Sequence, residues 1–177
     1  DNTTFHPNNI DNQWKLATEL NSGITFLGKD GVFINQAEIV YEEKQLTSPL
    51  ISLCFAIKFL ETDKDFDIIN FVESLDNNKI RINKQGRKIM LHINGTEKEN
   101  RSVNITSNEF IHFTYVFTET NIKIYKNGSI QHSGQTPEVP NLNIDNTNLV
   151  IGDTSTVTLF NIRNLMLFDN YNLNQDE

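Results

Sequence analysis

The sequence predicts an all-β protein, a two-sheet antiparallel β-sandwich, and three observations support this prediction. Apolar residues alternate with polar or small ones through Leu50–Phe59 and Glu109–Thr118, which is the period of a strand. Asn127-Gly128 lies between two further strand-like stretches, and this dipeptide is typical of a two-residue hairpin turn. No stretch as long as about twelve residues shows the 3.6-residue period of an amphipathic helix.

Strands separated by turn residues account for the first half of the chain. Leu50–Phe59 is the longest of them, and its core face carries Ile51, Leu53, Phe55, Ile57 and Phe59. Its other face has small or polar residues and need not be deeply buried. Glu61–Asp67 is predicted to be an acidic loop. The other predicted strands of this half are Ile24–Leu27, Gly31–Ile34, Ala37–Tyr41, Ile68–Glu73, Lys79–Asn83, Lys88–Asn94 and Ser102–Thr106.

The second half repeats this pattern with a longer connection. Glu109–Thr118 is followed by the hairpin Thr120–Gln131, whose turn is Asn127-Gly128. A crossover loop is expected at Pro137–Asn148. The predicted strands Leu149–Gly152 and Val157–Phe168 follow it, and the last residues, Asn172–Glu177, are expected to form a helical turn or a tail.

Length and charge limit the kinds of protein that this chain can be. Its 177 residues fit one domain, with residues 1–20 expected as a polar arm and residues 21–177 as the sandwich. The net charge of −8 disfavours binding to nucleic acid or to anionic lipid, both of which need clustered Lys and Arg. No apolar run approaches the length of a membrane span, so no membrane insertion is expected. The single cysteine, Cys54, is expected to be a buried, unreactive thiol.

The order of motifs in the second half is distinctive. F-I-H-F-T-Y-V-F (Phe110–Phe117) and N-I-K-I-Y-K-N-G-S-I (Asn121–Ile130) are followed by L-V-I-G-D (Leu149–Asp153) and F-N-I-R-N-L-M-L-F-D (Phe160–Asp169). This order resembles the concanavalin A-like jelly roll of the broad laminin-G-like group. The resemblance spans roughly Ile24 to Glu177 and implies a jelly-roll sandwich.

Several short segments resemble one branch of that group more closely. F-A-I-K-F (Phe55–Phe59), D-I-I-N (Asp67–Asn70), K-I-Y-K-N-G (Lys123–Gly128) and N-L-M-L-F-D (Asn164–Asp169) are similar to the jelly-roll subdomain of clostridial neurotoxin binding regions. In those toxins the subdomain is a largely non-catalytic module beside a receptor-binding trefoil, and the sequence has no trefoil. The resemblance implies that this domain is part of a larger chain or assembly.

Enzymatic signatures are absent from the sequence. Glycanases of this architecture carry an E-x-D-x-x-E strand, and the nearest match is Glu61–Asp65, which lacks the last Glu and lies in a predicted loop. The four histidines have no zinc-binding spacing. We therefore expect no enzymatic activity.

No cofactor is expected, with calcium as the alternative. Asp63, Asp65 and Asp67 offer hard oxygen ligands at alternate positions, but the run lacks the Gly and distal Glu of a helix-loop-helix site, and a solvated hairpin tip explains it better. Asp153 could be a further ligand. Laminin-G-like calcium sites place an acidic residue where this chain has Asn94, which weakens the case for calcium.

A sheet face is the remaining candidate for a site. Alternation places Arg81, His92, His112, Lys123 and Tyr125 on the non-core faces of strands that we expect to share one sheet. Sugars are bound by aromatic stacking and planar hydrogen-bonding groups, which these side chains can supply. The alternative is an ordinary sheet face covered by solvent or by a partner.

These observations favour a non-catalytic, lectin-like binding module of an exported or surface protein, located outside the cell or on its surface. Its expected partner is a glycan or another protein. The alternatives are a structural subdomain of a larger toxin-like or adhesin-like assembly with no ligand of its own, and a glycanase, which the missing carboxylates disfavour.

Overall fold

The computed structural model describes residues 15–16, 23–27, 31–42, 51–60, 63–74, 77–97, 101–105, 108–135, 147–154 and 158–169. Within these ranges the chain forms fifteen strands. In chain order they are β1 (Lys15–Leu16), β2 (Ile24–Phe26), β3 (Val32–Asn35), β4 (Glu38–Glu42), β5 (Ile51–Phe59), β6 (Phe66–Ser74), β7 (Asn77–Gln85), β8 (Lys88–Ile93), β9 (Thr96–Glu97), β10 (Val103–Asn104), β11 (Ile111–Phe117), β12 (Asn121–Lys126), β13 (Ser129–Gln135), β14 (Asn148–Gly152) and β15 (Leu159–Asp169).

The strands form two antiparallel sheets, so the predicted all-β sandwich is confirmed. The eight-stranded sheet has the order β1-β4-β14-β6-β7-β8-β10, with β9 paired to β8. The seven-stranded sheet has the order β13-β12-β11-β5-β15-β3-β2. Several neighbours in these orders, such as β4 and β14 or β5 and β15, are distant in the chain, because the path crosses between the sheets. In the described ranges there is no helix long and apolar enough to cross a membrane.

Aromatic side chains from both sheets meet in one core. Phe66 of the eight-stranded sheet stacks on Phe160 of the seven-stranded sheet, with ring centroids 5.5 Å apart. Phe55 lies 5.8 Å from Phe113 and 6.1 Å from Tyr115, all on neighbouring strands of the seven-stranded sheet. Aromatic pairs at such distances add to the stabilisation that comes from burying their area.

Strand β5 lies at the centre of the seven-stranded sheet, between β11 and β15. Its predicted core face is confirmed, since Ile51, Leu53, Phe55, Ile57 and Phe59 all belong to the core. The expectation for its other face is wrong, because Ser52 and Ala56 are 0% exposed and Cys54 is 9% exposed. The larger side chains of the flanking strands cover these small residues, as Met166 and Phe168 are the register partners of Cys54 and Ser52. The expectation that Cys54 is buried is confirmed.

Two tight turns contain Asn-Gly. The predicted turn at Asn127-Gly128 joins β12 to β13, and both residues have positive φ, 49° and 76°. Asn94 and Gly95 have φ values of 48° and 73° and join β8 to the short strand β9. The sequence predicted only a polar loop after Asn94, although the same dipeptide indicated a hairpin there as well.

The described residues cover other predictions only in part. Residues 15–16 of the expected N-terminal arm pair with β4 in the eight-stranded sheet. The strand predicted at Ser102–Thr106 is shorter, Val103–Asn104. Most of the crossover loop (residues 137–146) and the C-terminal segment (residues 172–177) lie outside the described residues. The division of the chain into arm and sandwich stays a prediction.

Candidate functional site

The five residues predicted to bind a ligand lie on different sheets. Arg81 and His92 are directly paired across β7 and β8 in the eight-stranded sheet. His112 on β11, and Lys123 and Tyr125 on β12, belong to the seven-stranded sheet. The expectation that all five share a sheet is therefore wrong. Alternation shows which face of a strand a residue occupies, but pairing between distant segments decides the sheet. That these residues bind a ligand stays a prediction.

The burial of these residues differs as well. Tyr125 is only 7% exposed, with Thr114 and Ile130 as its register partners, so its ring is not an open stacking platform. His92 is 8% exposed. His112 is exposed, and Lys123 and Arg81 are half-buried.

Polar side chains gather around Arg81 on the outer face of the eight-stranded sheet. We call Asp67, Asn70, Arg81, Asn83 and His92 the polar cluster; they come from the adjacent strands β6, β7 and β8. The Arg81 Nε donates a hydrogen bond of 2.7 Å to Asp67 Oδ1, and Asn70 Nδ2 donates one of 2.9 Å to Asp67 Oδ2. The Asp67 carboxylate thus fixes both neighbours, and its bond to Arg81 is charge-assisted.

His92 forms the other end of the polar cluster. Its Nε2 lies 3.0 Å from Asn83 Oδ1, and Asn83 is itself only 4% exposed. Burial lowers the pKa of His92, and the positive charge of Arg81 lowers it further, while Glu97 and Asp67 act in the opposite direction. His92 is therefore neutral near pH 7, and its Nε2–H donates to Asn83. The contact of 3.9 Å with Glu97 is not an ion pair in that state.

Two groups in the polar cluster have unused hydrogen-bonding capacity. The Asn70 Oδ1 atom is buried and has no hydrogen-bond partner. The Arg81 side chain is 36% exposed, and its two Nη groups donate to none of the residues that the structure describes. Buried polar atoms are nearly always paired, so each exception requires an explanation. An acceptor and a planar pair of donors side by side suit a ligand that carries hydroxyl or carboxyl groups.

Sequence reasoning found Arg81 and His92 but missed the role of the residues from β6. The sequence indicated Asp67 only as a calcium ligand, and it did not indicate Asn70 or Asn83 as site residues. Alternation through β7 places Asn83 on the same face as Arg81, which is a signal that was available. The position of Asp67 and Asn70 depends on a bulged register between β6 and β7, which no short-range pattern shows.

The aspartates considered as calcium ligands accept hydrogen bonds from the protein. Asp65 Oδ1 accepts from the backbone N–H of Gly86 at 2.6 Å, and Asp67 is bonded to Arg81. Asp153 Oδ2 accepts from the backbone N–H of Asp67 at 3.4 Å. In the described part of the chain, no three His, Cys, Asp or Glu side chains are grouped as metal ligands. Asp63 and Asp65 are exposed and precede β6, so these two members of the nearest glycanase-like match do not lie along a strand.

Comparisons with known proteins agree with this architecture. A family model described as the concanavalin A-like lectin/glucanases superfamily matches residues 34–177. The resemblance to that superfamily, inferred from the strand and hairpin motifs, is confirmed. A search of curated proteins found no match.

Solved structures with a similar fold include botulinum neurotoxin binding domains. The receptor binding domain of botulinum neurotoxin D has a TM-score of 0.72 and 15% identity, over 92% of this chain and 46% of that one. A binding domain of botulinum neurotoxin DC in complex with rat synaptotagmin II has a TM-score of 0.72 and 14% identity, over 92% and 45%.

A third similar structure is that of botulinum neurotoxin type C, whose cell entry depends on interaction with two ganglioside molecules. Its TM-score is 0.71 and its identity 15%, over 92% of this chain and 44% of that one. At 14–15% identity these likenesses establish the fold alone. The chain spans less than half the length of these neighbours.

Proposed function

Because the chain belongs to the concanavalin A-like lectin/glucanases superfamily, we propose that it is a non-catalytic binding module that recognises a glycan through the polar cluster. The module would act outside the cell or on its surface, within a larger protein. In support, one structural neighbour comes from a toxin whose cell entry depends on two ganglioside molecules, and another is a binding domain in complex with rat synaptotagmin II. A protein partner is thus the second kind of ligand to consider.

One observation carries this proposal: a hydrogen-bond acceptor and hydrogen-bond donors, none of them bonded to a described residue, lie side by side on one sheet face. Asn70 is 7% exposed and offers Oδ1, and Arg81 offers its Nη groups beside it. Asp67 holds both side chains in place through hydrogen bonds, so little conformational freedom is lost when a ligand binds. Fixed planar donors and acceptors of this kind are what recognition of sugar hydroxyl groups requires.

The test is a glycan array followed by affinity measurements on a matched pair of variants. Arg81→Ala removes the proposed donors, and Arg87→Ala removes the same charge from an exposed turn outside the polar cluster. We expect the wild-type chain to bind at least one glycan and Arg81→Ala to bind it more than about tenfold more weakly, as expected when charge-assisted hydrogen bonds are lost. Arg87→Ala should bind as the wild type does.

Other outcomes would contradict the proposal. Full affinity in a folded Arg81→Ala variant would place the site elsewhere on the molecule. Absence of binding to any glycan at high protein concentration would favour the alternative of a structural subdomain without a ligand. One observation favours that alternative, since the matching domains of the structural neighbours occur within chains more than twice as long.

A further inference from the structure

The outer face of the seven-stranded sheet has a charge opposite to that of the whole chain. Its strands β5, β11, β12 and β15 carry Lys58, His112, Lys123 and Arg163, which we call the basic face. None of the described outward positions on this sheet is Asp or Glu. None of these four side chains forms a salt bridge with a described residue, although the chain has a net charge of −8.

Three of these side chains surround one small residue. Ala56, in the centre of the sheet, is the register partner of Arg163 on one side and of His112 on the other. Lys58 is two residues further along the same strand and therefore on the same face. Neighbouring strands are about 4.8 Å apart, so the three side chains lie close enough together for one anionic group to contact more than one of them. Ala56 itself is 0% exposed, so the surface at this point is formed by the larger side chains around it.

Arg163 is held in a fixed orientation. Its guanidinium carbon lies 3.9 Å from the centroid of the Phe110 ring, which is a cation–π contact. The Arg163 Nε atom is buried and has no hydrogen-bond partner, and the same is true of Oδ1 of Asn161, two residues earlier on β15. Both residues are half-buried, so part of each side chain reaches the surface. An unused donor and an unused acceptor thus lie on the same edge of the basic face.

We propose that the basic face binds an acidic saccharide, with the carboxylate or sulfate between Lys58 and Arg163 and a neighbouring hydroxyl group donating to Asn161. A planar guanidinium suits a planar carboxylate, because two parallel N–H donors match its two oxygens. The Asn161 acceptor distinguishes this ligand from a simple anion, which has no donor to offer. The inference rests on a different sheet and different residues from the proposed function, and it stands without it.

A saccharide fits these observations better than an anionic membrane does. The net charge of −8 opposes adsorption to a surface of anionic lipid, where many charges act at once. A single short ligand contacts only the local positive charges, and the rest of the protein is screened beyond about 10 Å at moderate salt. Binding to anionic vesicles is therefore an outcome that would contradict the proposal.

The test is an NMR titration of the ¹⁵N-labelled chain with three small ligands at constant ionic strength. Sodium glucuronate carries a carboxylate and hydroxyl groups, sodium acetate only the carboxylate, and glucose only the hydroxyl groups. We expect glucuronate to shift the amide signals of β5, β11 and β15, acetate to bind about tenfold more weakly, and glucose to cause no shift. That ratio corresponds to about 1.4 kcal/mol.

Variants test whether the glucuronate-induced shifts arise from binding at the basic face. Lys58→Ala should weaken glucuronate binding about tenfold, the effect of one lost charge-assisted contact. Arg163→Lys keeps the charge above Phe110 but loses the planar fork, and it should weaken binding to a similar degree. Arg87→Ala should bind as the wild type does, and thermal unfolding checks that each variant is folded.

Four results would overturn the proposal. They are equal affinity for acetate and glucuronate, shifts caused by glucose, no shift with glucuronate, and stronger binding to phosphatidylserine vesicles than to neutral ones. The signals also separate the two proposals of this article, because ligand at the polar cluster would shift amides of β6, β7 and β8 instead.

Discussion

His92 combines a titratable ring with a buried position on a sheet face. Its neighbours are Asn83, to which it donates, and Arg81, whose positive charge opposes a second charge nearby. Both the burial and the charge favour the neutral ring, so the pKa of His92 is lower in the folded chain than in the unfolded chain, where 6.5 is the ordinary value. The unfolded chain therefore takes up a proton at a pH where the folded chain does not.

The direction of the resulting pH dependence follows from linkage. Between the lowered pKa and 6.5 the unfolded state binds more protons, so the free energy of unfolding rises with pH in that window. We expect the chain to lose stability on acidification below about pH 6.5. In His92→Gln, which keeps a donor for Asn83, this part of the pH dependence should disappear. Urea unfolding curves at several pH values measure it, and an unchanged slope in the variant would show that another group is responsible.

For individual residues, the alternation of apolar and polar positions predicted the strand face on which a side chain lies, but not its partners on neighbouring strands. Arg81 and His92 were assigned to a non-core face, and they lie on one. Their partners Asp67 and Asn70 come from β6, and the pairing of that strand with β7 contains bulges. Each bulge changes which side chains share a face, so the composition of the polar cluster depends on registers that the sequence does not show.

The β12–β13 hairpin is an element whose turn residue has a second role. Asn127 has the positive φ that the turn requires, and its Oδ1 accepts a hydrogen bond of 2.9 Å from the backbone N–H of His112. Its own N–H donates to the His112 carbonyl at 2.8 Å. The turn is thereby fastened to the first part of β11.

Substitutions at Asn127 separate these two roles. Asn127→Gly keeps the turn and loses the side-chain hydrogen bond, so we expect a loss of about 1 kcal/mol. Asn127→Ala also places a side chain that resists positive φ in the turn, which adds about 1–2 kcal/mol. Asn94→Gly is the matched control, since Asn94 has nearly the same φ and no side-chain hydrogen bond to a described residue.

Chemical denaturation of the three variants measures these differences. If Asn127→Gly were as stable as the wild type, the hydrogen bond to His112 would contribute nothing. If Asn94→Gly lost as much as Asn127→Gly, the loss would come from the glycine itself.

Local sequence patterns predicted the structure of an element correctly where all the residues that determine it lie within one segment. The Asn127-Gly128 turn and the core face of β5 are such cases. The outer face of β5 is the opposite case, because Ser52 and Ala56 are covered by residues of strands more than fifty positions away in the chain. Burial of a small residue depends on its neighbours rather than on its own type.

The whole molecule depends on contacts between its sheets. Phe66 and Phe160 stack across the sandwich, and Phe59, beside Phe160 on the neighbouring strand, also contacts Phe66 at 5.9 Å. The described core residues form one cluster that draws on both sheets. Loss of packing in one sheet should therefore destabilise the other.

A core substitution tests this coupling. Phe55 is 1% exposed, and Phe55→Ala should lower the free energy of unfolding by about 3–5 kcal/mol. Hydrogen exchange should accelerate equally in β11, beside Phe55, and in β7, in the other sheet. Leu27→Ala is the control, because Leu27 is 39% exposed and should change stability by less than about 0.5 kcal/mol. Acceleration confined to the seven-stranded sheet would show that the sheets unfold independently.

The fold class was accessible from the sequence because it requires only period and turn signals, and the order of the motifs indicated a jelly roll. The assignment of strands to sheets was not accessible in the same way. Arg81 and Lys123 have the same kind of local pattern, yet they lie on opposite sides of the molecule. Alternation along one strand distinguishes its core face from its outer face, but it does not show to which of the two sheets that outer face belongs.

Strand β13 lies at one end of the seven-stranded sheet and is composed mostly of Ser, Gln, His and Gly, with Ile130 as its one bulky apolar residue. An end strand has backbone groups that can pair with another copy of the chain, and long apolar edges promote aggregation. Because β13 is mostly polar, such pairing would bury few apolar side chains and would therefore gain little free energy of association. The order of strands thus places the polar strand β13 at an end of the sheet, where pairing with a second copy of the chain is sterically possible but weakly favoured.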